Sequence, residues 1–166
     1  MPTVLYTGGT FDLLHFGHAN FLSQCKRLAD HVIVSLNTDE FILRYKKVAP
    51  ILNFEERKAS LLHLPYVDEV IANIGDEDSK PAILKADPDI IAIGDDWAKR
   101  DYYKQMGFTQ KWLDERDIIL LYLPYTRGIS TSELKMRVLR EIEATKVISQ
   151  KRQMSEYIRI HREEES

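Results

Sequence analysis

The sequence predicts an α/β fold, a doubly wound sheet of five parallel strands with helices on both faces. Two observations lead to this prediction. Short apolar runs typical of strands alternate with longer segments in which apolar residues recur at helical spacing. These longer segments have the length of the right-handed crossovers that join parallel strands.

Each strand is predicted from one apolar run. The first run, residues 3–7, ends at Gly8-Gly9, a pair typical of a tight turn after a strand. The other four runs cover residues 31–36, 67–71, 89–93 and 118–123. Continuous apolar runs of this kind are typical of parallel strands that are buried on both faces.

Six helices are predicted between and after the strands, at residues 18–29, 39–45, 53–64, 80–86, 102–115 and 130–148. Gly107 interrupts the pattern of the fifth one. The arrangement is Rossmann-like, and in such sheets ligands bind at the carboxyl ends of the strands. The segments that follow strands one, four and five are therefore the places to look for function.

The composition is that of an ordinary globular protein. The chain has 166 residues, a net charge of -3 and 44% hydrophobic residues. We predict one domain over residues 1–148 and a charged helix or tail over residues 149–166. The weak net charge argues against a bulk binder of nucleic acid. No apolar stretch approaches the ~20 residues of a membrane span, and we expect a cytoplasmic location.

The single cysteine, Cys25, excludes an intramolecular disulfide and a cysteine-rich zinc site. It lies among apolar residues of the first predicted helix. This setting favours a small buried apolar side chain over a reactive thiol.

The segment after the first strand carries two histidines, His15 and His18, separated by Phe16-Gly17. A protonated imidazole donates two hydrogen bonds, and a histidine titrates near neutral pH. At the mouth of a parallel sheet, where a helix begins, such a pair suits a phosphate ligand. A metal site is an alternative, although no cysteine or third histidine lies nearby to complete a zinc site. A structural role is the other alternative.

The segment from Gly9 to His18 resembles the HxGH signature of the nucleotidyltransferase superfamily related to class I aminoacyl-tRNA synthetases. The resemblance implies that both histidines contact the phosphates of a nucleoside triphosphate and stabilise the pentacoordinate transition state. In-line attack on the α-phosphorus builds charge on its oxygens, and fixed cationic donors stabilise that charge. The resemblance also implies nucleotide contacts from Gly8, Gly9, Thr10 and Phe11.

The segment after the fifth strand carries Ser130, Thr131 and Ser132 at the start of the last predicted helix. One hydroxyl would suffice to cap a helix, and the free N–H groups there form an anion site. The segment resembles the RTxGISTT motif of cytidylyltransferases, which holds the β- and γ-phosphates in that family. The resemblance implies nucleotide contacts from Tyr125, Thr126, Gly128, Ile129, Ser130 and Thr131.

Two features depart from the family pattern. The motif begins with a phosphate-binding arginine in the family, whereas this chain has Tyr125. We expect Arg127, two residues further on, to reach the same anion, and we assign it a catalytic role. The family's lysine segment corresponds here to residues 44–47. Within it we predict Lys46 as the catalytic lysine, with Lys47 as the alternative.

The segment after the fourth strand reads Gly94-Asp95-Asp96-Trp97. Adjacent carboxylates are also found in simple solvated turns. The four residues resemble the base-binding loop of bacterial glycerol-3-phosphate cytidylyltransferases. The resemblance implies nucleotide contacts from Gly94 and Asp96, whose carboxylate would accept from the exocyclic amine of cytosine. It further implies an acceptor site formed by Asp12, Asp39, Arg57, Asp68 and Trp97.

The resemblance covers residues 4–136. It implies transfer of CMP from CTP to a phosphorylated alcohol similar to glycerol 3-phosphate, with release of pyrophosphate, by a homodimer. Mg²⁺ is expected to bind through the triphosphate oxygens, with no metal site made by the protein alone. Three alternatives stay open: an adenylyltransferase of the same superfamily, another phosphorylated acceptor in surface-polymer or capsule synthesis, and a nucleotide-binding module without catalysis. Segment 102–115, longer than expected for the glycerol phosphate enzymes, is the reason to consider another acceptor.

Overall fold

The structure is a computed structural model that describes residues 1–95 and 102–164. Its elements follow one another along the chain as β1 (Val4–Gly9), α1 (Phe16–Leu28), β2 (His31–Leu36), α2 (Asp39–Lys46), α3 (Phe54–Leu62), β3 (Glu69–Ala72), α4 (Lys80–Ala86), β4 (Ile90–Gly94), α5 (Tyr102–Met106), α6 (Gln110–Asp114), β5 (Ile119–Leu123) and α7 (Thr131–Glu164). The chain forms two compact units, Met1–Ile129 and Ser130–Ser166. Each unit is described by itself.

The five strands form one parallel sheet in the order β3-β2-β1-β4-β5. The chain first moves outward from β1 to β2 and β3, and then returns to place β4 on the other side of β1. The strand order therefore reverses between β1 and β4, and a crevice forms at the carboxyl ends of such a pair. The prediction of a five-stranded parallel sheet is confirmed.

Successive residues of the sheet point into two different cores, one on each face. Leu5 packs in a core that includes residues of α1 and α3, whereas Tyr6 packs in a core that includes residues of α4 and α6. The predicted helices on both faces are thus confirmed. Cys25 is fully buried in the first core, and burial raises the pKa of its thiol to about 12. It is a buried apolar side chain, as predicted.

Several observed boundaries differ from the predicted ones. β1 continues through Gly8 and Gly9, which remain paired with Ser35 and Leu36 of β2, so the predicted turn begins later. The predicted helix at 102–115 is two short helices, because Gly107 adopts a left-handed φ of +74° that no helix can continue.

Unit Ser130–Ser166 consists mainly of α7, a helix of 34 residues. The Ser130 hydroxyl accepts from the Glu133 backbone N–H at 3.1 Å, which is the geometry of an N-terminal cap. The helix continues past the predicted end at residue 148, because residues 131–164 contain no glycine or proline and many strong helix formers. Within the described ranges, no helix has the length and apolar character needed to cross a membrane.

Candidate active site

The loop after β1 folds back over the end of its own strand. Phe11 and Leu13 have left-handed φ angles of 48° and 49°, which residues other than glycine rarely adopt. The loop also needs Gly9, because a Cβ there would lie 2.9 Å from the Phe11 ring. Phe11 itself is 8% exposed, and its ring centroid lies 5.2 Å from that of His18. Phe11 therefore supports His18 from the core side.

The two predicted histidines stack on one another at the start of α1. His15 is the N-cap residue and His18 lies in the first turn, so their spacing of three places both rings on one side. The ring centroids are 3.8 Å apart and the planes differ by 19°. The His15 backbone N–H donates to His18 Nδ1 at 3.5 Å. Because Nδ1 of His18 accepts, the proton of the neutral ring lies on Nε2, which can then donate to a ligand.

Burial sets the charge of this pair. It lowers the pKa of His15, and burial together with the neighbouring charge of His15 lowers the pKa of His18 to about 3, against an opposing effect of Asp12. Both rings are therefore neutral at pH 7. Neither ring nitrogen of His15 has a hydrogen-bond partner within the part of the chain that the structure describes. A buried polar atom in that state is costly, and an anion with several oxygens would satisfy both rings.

Gly17 makes the stacked arrangement possible, and it is a residue that the sequence analysis did not assign to the site. A Cβ at position 17 would lie 3.0 Å from two atoms of the His15 ring and 3.0 Å from Cγ2 of Ile129. Hence Ile129, a predicted nucleotide-binding residue, lies against the first turn of α1. The glycine between the two histidines was the available signal, and its role is to let the ring of His15 lie close to the helix.

Arg57 connects three loops at the carboxyl ends of the strands. It is 0% exposed, and its Nη1 donates to the Thr10 carbonyl at 2.6 Å. Its Nε donates to the Leu52 carbonyl at 3.0 Å, and its Nη2 to the Asn37 carbonyl at 2.9 Å and to Asp39 Oδ1 at 2.6 Å. Each nitrogen of the guanidinium thus binds protein. The structure gives this predicted acceptor residue a role in holding the loops together.

The two predicted acceptor aspartates of this region bind backbone amides. The Asp12 carboxylate, 3% exposed, accepts from the N–H groups of Ile51 and Leu52 at 2.9 and 3.0 Å. Asp39 Oδ2 accepts from the Phe54 N–H at 3.0 Å while its Oδ1 pairs with Arg57. The two carboxylates therefore fix the segment between α2 and α3 against the loop after β1.

The predicted catalytic lysine lies beside the same loop. Lys46 Nζ donates to the Thr10 hydroxyl at 3.3 Å. Lys47 follows as the C-cap of α2 in a left-handed conformation with a φ of 59°. The structure therefore brings Lys46 to a predicted nucleotide-binding residue, whereas Lys47 ends the helix.

Asp68 is not brought to this group of residues. Its carboxylate pairs with Lys26 Nζ at 2.7 Å and accepts from the Val32 N–H at 2.7 Å. Val32 is the second residue of β2, at the amino end of the strand. The carboxyl ends of the strands, where His15 and Thr10 lie, are the opposite edge of the sheet. The ion pair with Lys26 and the bond from Val32 both hold the pKa of Asp68 down against the effect of burial, the largest single influence.

The loop after β5 is tied to the loop after β4. Tyr125 N–H donates to Asp95 Oδ1 at 3.0 Å, and Gly94, the last residue of β4, pairs with Leu123 of β5. Gly128 has a left-handed φ of +81°, and a Cβ built there would have no described heavy atom of another part of the chain within 4 Å. The loop after β5 also accepts hydrogen bonds from Asn20 and Gln24 of α1, which the sequence analysis did not identify.

Four predicted residues lie outside the described part of the unit Met1–Ile129. Asp96 and Trp97 lie outside the described residues. Ser130 and Thr131 belong to the second unit, and their predicted phosphate contacts stay predictions. Among the residues that the structure describes, no group of three or more His, Cys, Asp or Glu side chains could hold a metal ion.

Comparison with known proteins identifies the family of the chain. A profile described as "Cytidylyltransferase-like" matches residues 6–137. The glycerol-3-phosphate cytidylyltransferase of Bacillus subtilis (strain 168) is 40% identical over 133 residues, 80% of this chain and 94% of the relative. The enzyme of that name from Staphylococcus aureus (strain NCTC 8325 / PS 47) is 36% identical over 134 residues, 80% of this chain and 92% of the relative. A lipopolysaccharide core biosynthesis protein of Thermoplasma volcanium GSS1 has a solved structure with a TM-score of 0.59 and 25% identity, over 76% of this chain and 100% of that one. A match of this extent, on a chain with a stacked histidine pair at the reversal of strand order, means that the protein belongs to the cytidylyltransferase-like family.

Proposed function

We propose that the protein transfers CMP from CTP to a phosphorylated alcohol similar to glycerol 3-phosphate and releases pyrophosphate. The observation that carries the proposal is the stacked pair of His15 and His18. Among the residues that the structure describes, none forms a hydrogen bond with either buried ring nitrogen of His15. The relatives named glycerol-3-phosphate cytidylyltransferase, which match most of the chain, support the choice of nucleotide and acceptor.

The reaction needs no covalent intermediate and no base. The acceptor phosphate is largely a dianion at pH 7, because the second pKa of such a group is about 6. One of its oxygens attacks the α-phosphorus of CTP and forms the new P–O bond. The bond from the α-phosphorus to the bridging oxygen breaks, and pyrophosphate leaves with the electron pair. Catalysis therefore consists of holding the two phosphates in line and stabilising the charge between them.

The histidines supply this stabilisation. His18 presents Nε2–H, since its Nδ1 accepts from the His15 backbone. A triphosphate beside the pair adds negative charge where both rings are neutral, so it favours protonation of the pair and additional donors. The first turn of α1 adds backbone N–H groups that favour an anion.

The loops around Thr10 position the substrates. Lys46 lies 3.3 Å from the Thr10 hydroxyl and adds a positive charge beside the loop after β1. Arg57 holds the Thr10 carbonyl. We assign Lys46 to charge neutralisation and Arg57, with Asp12 and Asp39, to the geometry of the acceptor side of the crevice.

The remaining assignments come from the family resemblance. We assign Asp96 to reading the cytosine base and Trp97 to contacting the acceptor. Mg²⁺ would be held by the phosphate oxygens of CTP and would neutralise part of their charge. Arg127 takes the place of the family arginine at Tyr125. We also keep the predictions of a homodimer and of a cytoplasmic location, which sedimentation and cell fractionation test.

The experiment is pyrophosphate release with each of the four nucleoside triphosphates and Mg²⁺, against a panel of phosphorylated alcohols that includes glycerol 3-phosphate. We expect release with CTP and one acceptor, and a loss of about 10²–10³ in kcat for His15→Ala, the usual effect of removing one transition-state donor. His63→Ala, an exposed histidine on the surface, is the matched control. Release with ATP alone would overturn the base assignment, and no release with any pair would overturn the transferase assignment.

A further inference from the structure

The loop after β5 is held by the side of α1. Gln24 Nε2 donates to the Pro124 carbonyl at 3.1 Å, and Asn20 Nδ2 donates to the Thr126 hydroxyl at 3.2 Å. Asn20 and Gln24 are four residues apart, so both side chains project from the same face of the helix. Two amides on one helix face thus bind the first and third residues of a three-residue stretch.

A polar groove of about 470 Å³ separates α1 from the loop, lined by Asn20, Ser23, Gln24, Arg27, Pro124, Tyr125 and Thr126. On this side the two amide hydrogen bonds join α1 to the loop across the groove. Pro124 also lacks an N–H that could hold the loop in another way.

The same helix carries the histidine pair at its other end. α1 begins at Phe16, directly after His15, and Asn20 follows His18 by two residues. A rigid helix therefore fixes the histidine rings and the loop after β5 in one frame. The middle residue of the stretch, Tyr125, is held separately by Asp95.

We propose that Asn20 and Gln24 are positioning residues for nucleotide binding, which hold residues 124–126 so that the loop and the histidines meet CTP together. The proposal rests on the proposed function. Neither side chain needs to touch the substrate. Loss of the hydrogen bonds lets the loop move relative to α1, so CTP binding is weakened while the acceptor side, built around Arg57, is left unchanged.

The two groups that accept these hydrogen bonds, the Pro124 carbonyl and the Thr126 hydroxyl, differ in chemistry, and this difference allows a sharp test. The Pro124 carbonyl can only accept, so Gln24→Glu places a carboxylate against an oxygen and abolishes the bond. The Thr126 hydroxyl can donate as well as accept, so Asn20→Asp can form the bond in reverse. Both variants add one negative charge. If charge near the triphosphate were the cause of any loss, Asn20→Asp, closer along α1 to His18, would be the more damaging variant.

The measurements are KM for CTP, KM for the acceptor, and hydrogen exchange of the amides of residues 125–127, all on the full chain. We expect Gln24→Glu to raise KM for CTP by about three- to tenfold, the effect of one hydrogen bond, and to speed exchange in the loop. KM for the acceptor and the melting temperature should stay unchanged. Asn20→Asp should behave nearly as the wild type, and Asn20→Ala should resemble Gln24→Glu. Ser23→Ala, in the same groove without a hydrogen bond to the described loop residues, is the control.

The outcomes separate the two proposals. A wild-type protein that releases no pyrophosphate with any substrate pair fails the proposed function, and faster exchange in Gln24→Glu then still shows that the amide holds the loop. Exchange and KM for CTP equal to wild type in both Gln24→Glu and Asn20→Ala would overturn the positioning role. Asn20→Asp worse than Gln24→Glu would also overturn it, in favour of a charge effect.

Discussion

Replacing Arg57 with alanine tests the role of the loops around the site. Arg57 is 0% exposed and binds three carbonyls and the Asp39 carboxylate. Removing one member of a buried ion pair typically costs about 3–5 kcal/mol, because the partner stays buried without its counter-charge. Asp39 is 36% exposed, so water repays part of this cost. We therefore expect Arg57→Ala to lower the free energy of unfolding by about 3 kcal/mol, at the lower end of that range.

The assay is urea unfolding followed by circular dichroism, with turnover measured in parallel. For a chain of this size about 3 kcal/mol corresponds to a melting temperature lowered by roughly 6–12 °C. Arg57→Lys keeps the charge, but an ammonium cannot reproduce the planar fork that reaches Thr10, Leu52 and Asn37. We expect it to recover less than half of the loss.

A second arginine provides the control. Arg44 also forms ion pairs, with Asp76 at 2.8 Å and Glu77 at 3.2 Å, but its side chain is 53% exposed. Exposed pairs contribute little, so Arg44→Ala should unfold nearly as the wild type does. Equal midpoints of urea unfolding for Arg57→Ala and Arg44→Ala would refute this prediction. An Arg57→Ala variant that keeps wild-type stability and loses only activity would refute it as well.

Three further predictions concern the crevice. Stability should fall below pH 6.5, because the unfolded chain takes up a proton at a histidine while burial holds the pKa of His18 at about 3 in the fold; linkage gives roughly 2 kcal/mol between pH 8 and pH 5. Urea unfolding at pH 8 and pH 5 measures this loss of stability. If the unfolding free energy of His18→Gln changed with pH as much as that of the control His63→Gln, the prediction would be contradicted. Gly17→Ala should displace the His15 ring, which a Cβ would approach to 3.0 Å, and lower kcat about tenfold or more at a cost of about 1–3 kcal/mol; steady-state kinetics with wild-type kcat would show that the ring keeps its place. Arg127→Ala should weaken CTP binding about tenfold by titration calorimetry, as expected for a lost charge-assisted bond; unchanged affinity and turnover would mean that Arg127 does not replace the family arginine.

Sequence reasoning found the elements that depend on local pattern. Strands with continuous apolar runs, such as 31–36, and helices with regular apolar spacing were predicted nearly to their observed ends. It also found the histidine pair, since the chemistry of His15 and His18 is visible in their identity and spacing. Gly107 was recognised as an interruption of the fifth predicted helix, but the division into two helices depends on its left-handed φ angle. The last helix was predicted to end at residue 148, with a helix or tail after it, and no breaker residue marks where α7 ends.

Asp68 shows where a motif alone misleads. Carried over by resemblance, it was expected on the acceptor side, but its carboxylate accepts from Val32 at the amino end of β2 and pairs with Lys26. Those partners lie 36 and 42 residues away in the sequence. A carboxylate between a buried strand and a lysine is a structural arrangement that residue type cannot distinguish from a ligand contact.

Arg57, which was predicted as an acceptor residue, and Gln24, which was not predicted, share one property: both bind backbone carbonyls. Arg57 binds carbonyls of three different loops, and Gln24 binds the carbonyl of Pro124. Every residue has a carbonyl, so no spacing or composition in the sequence marks which one is bound. A histidine pair can be recognised because its chemistry lies in its own side chains. The residues that support the pair can be identified only in the folded structure, where α1 lies beside the loop after β5. The proposed positioning of CTP is therefore derived from the structure, and Gln24→Glu tests it.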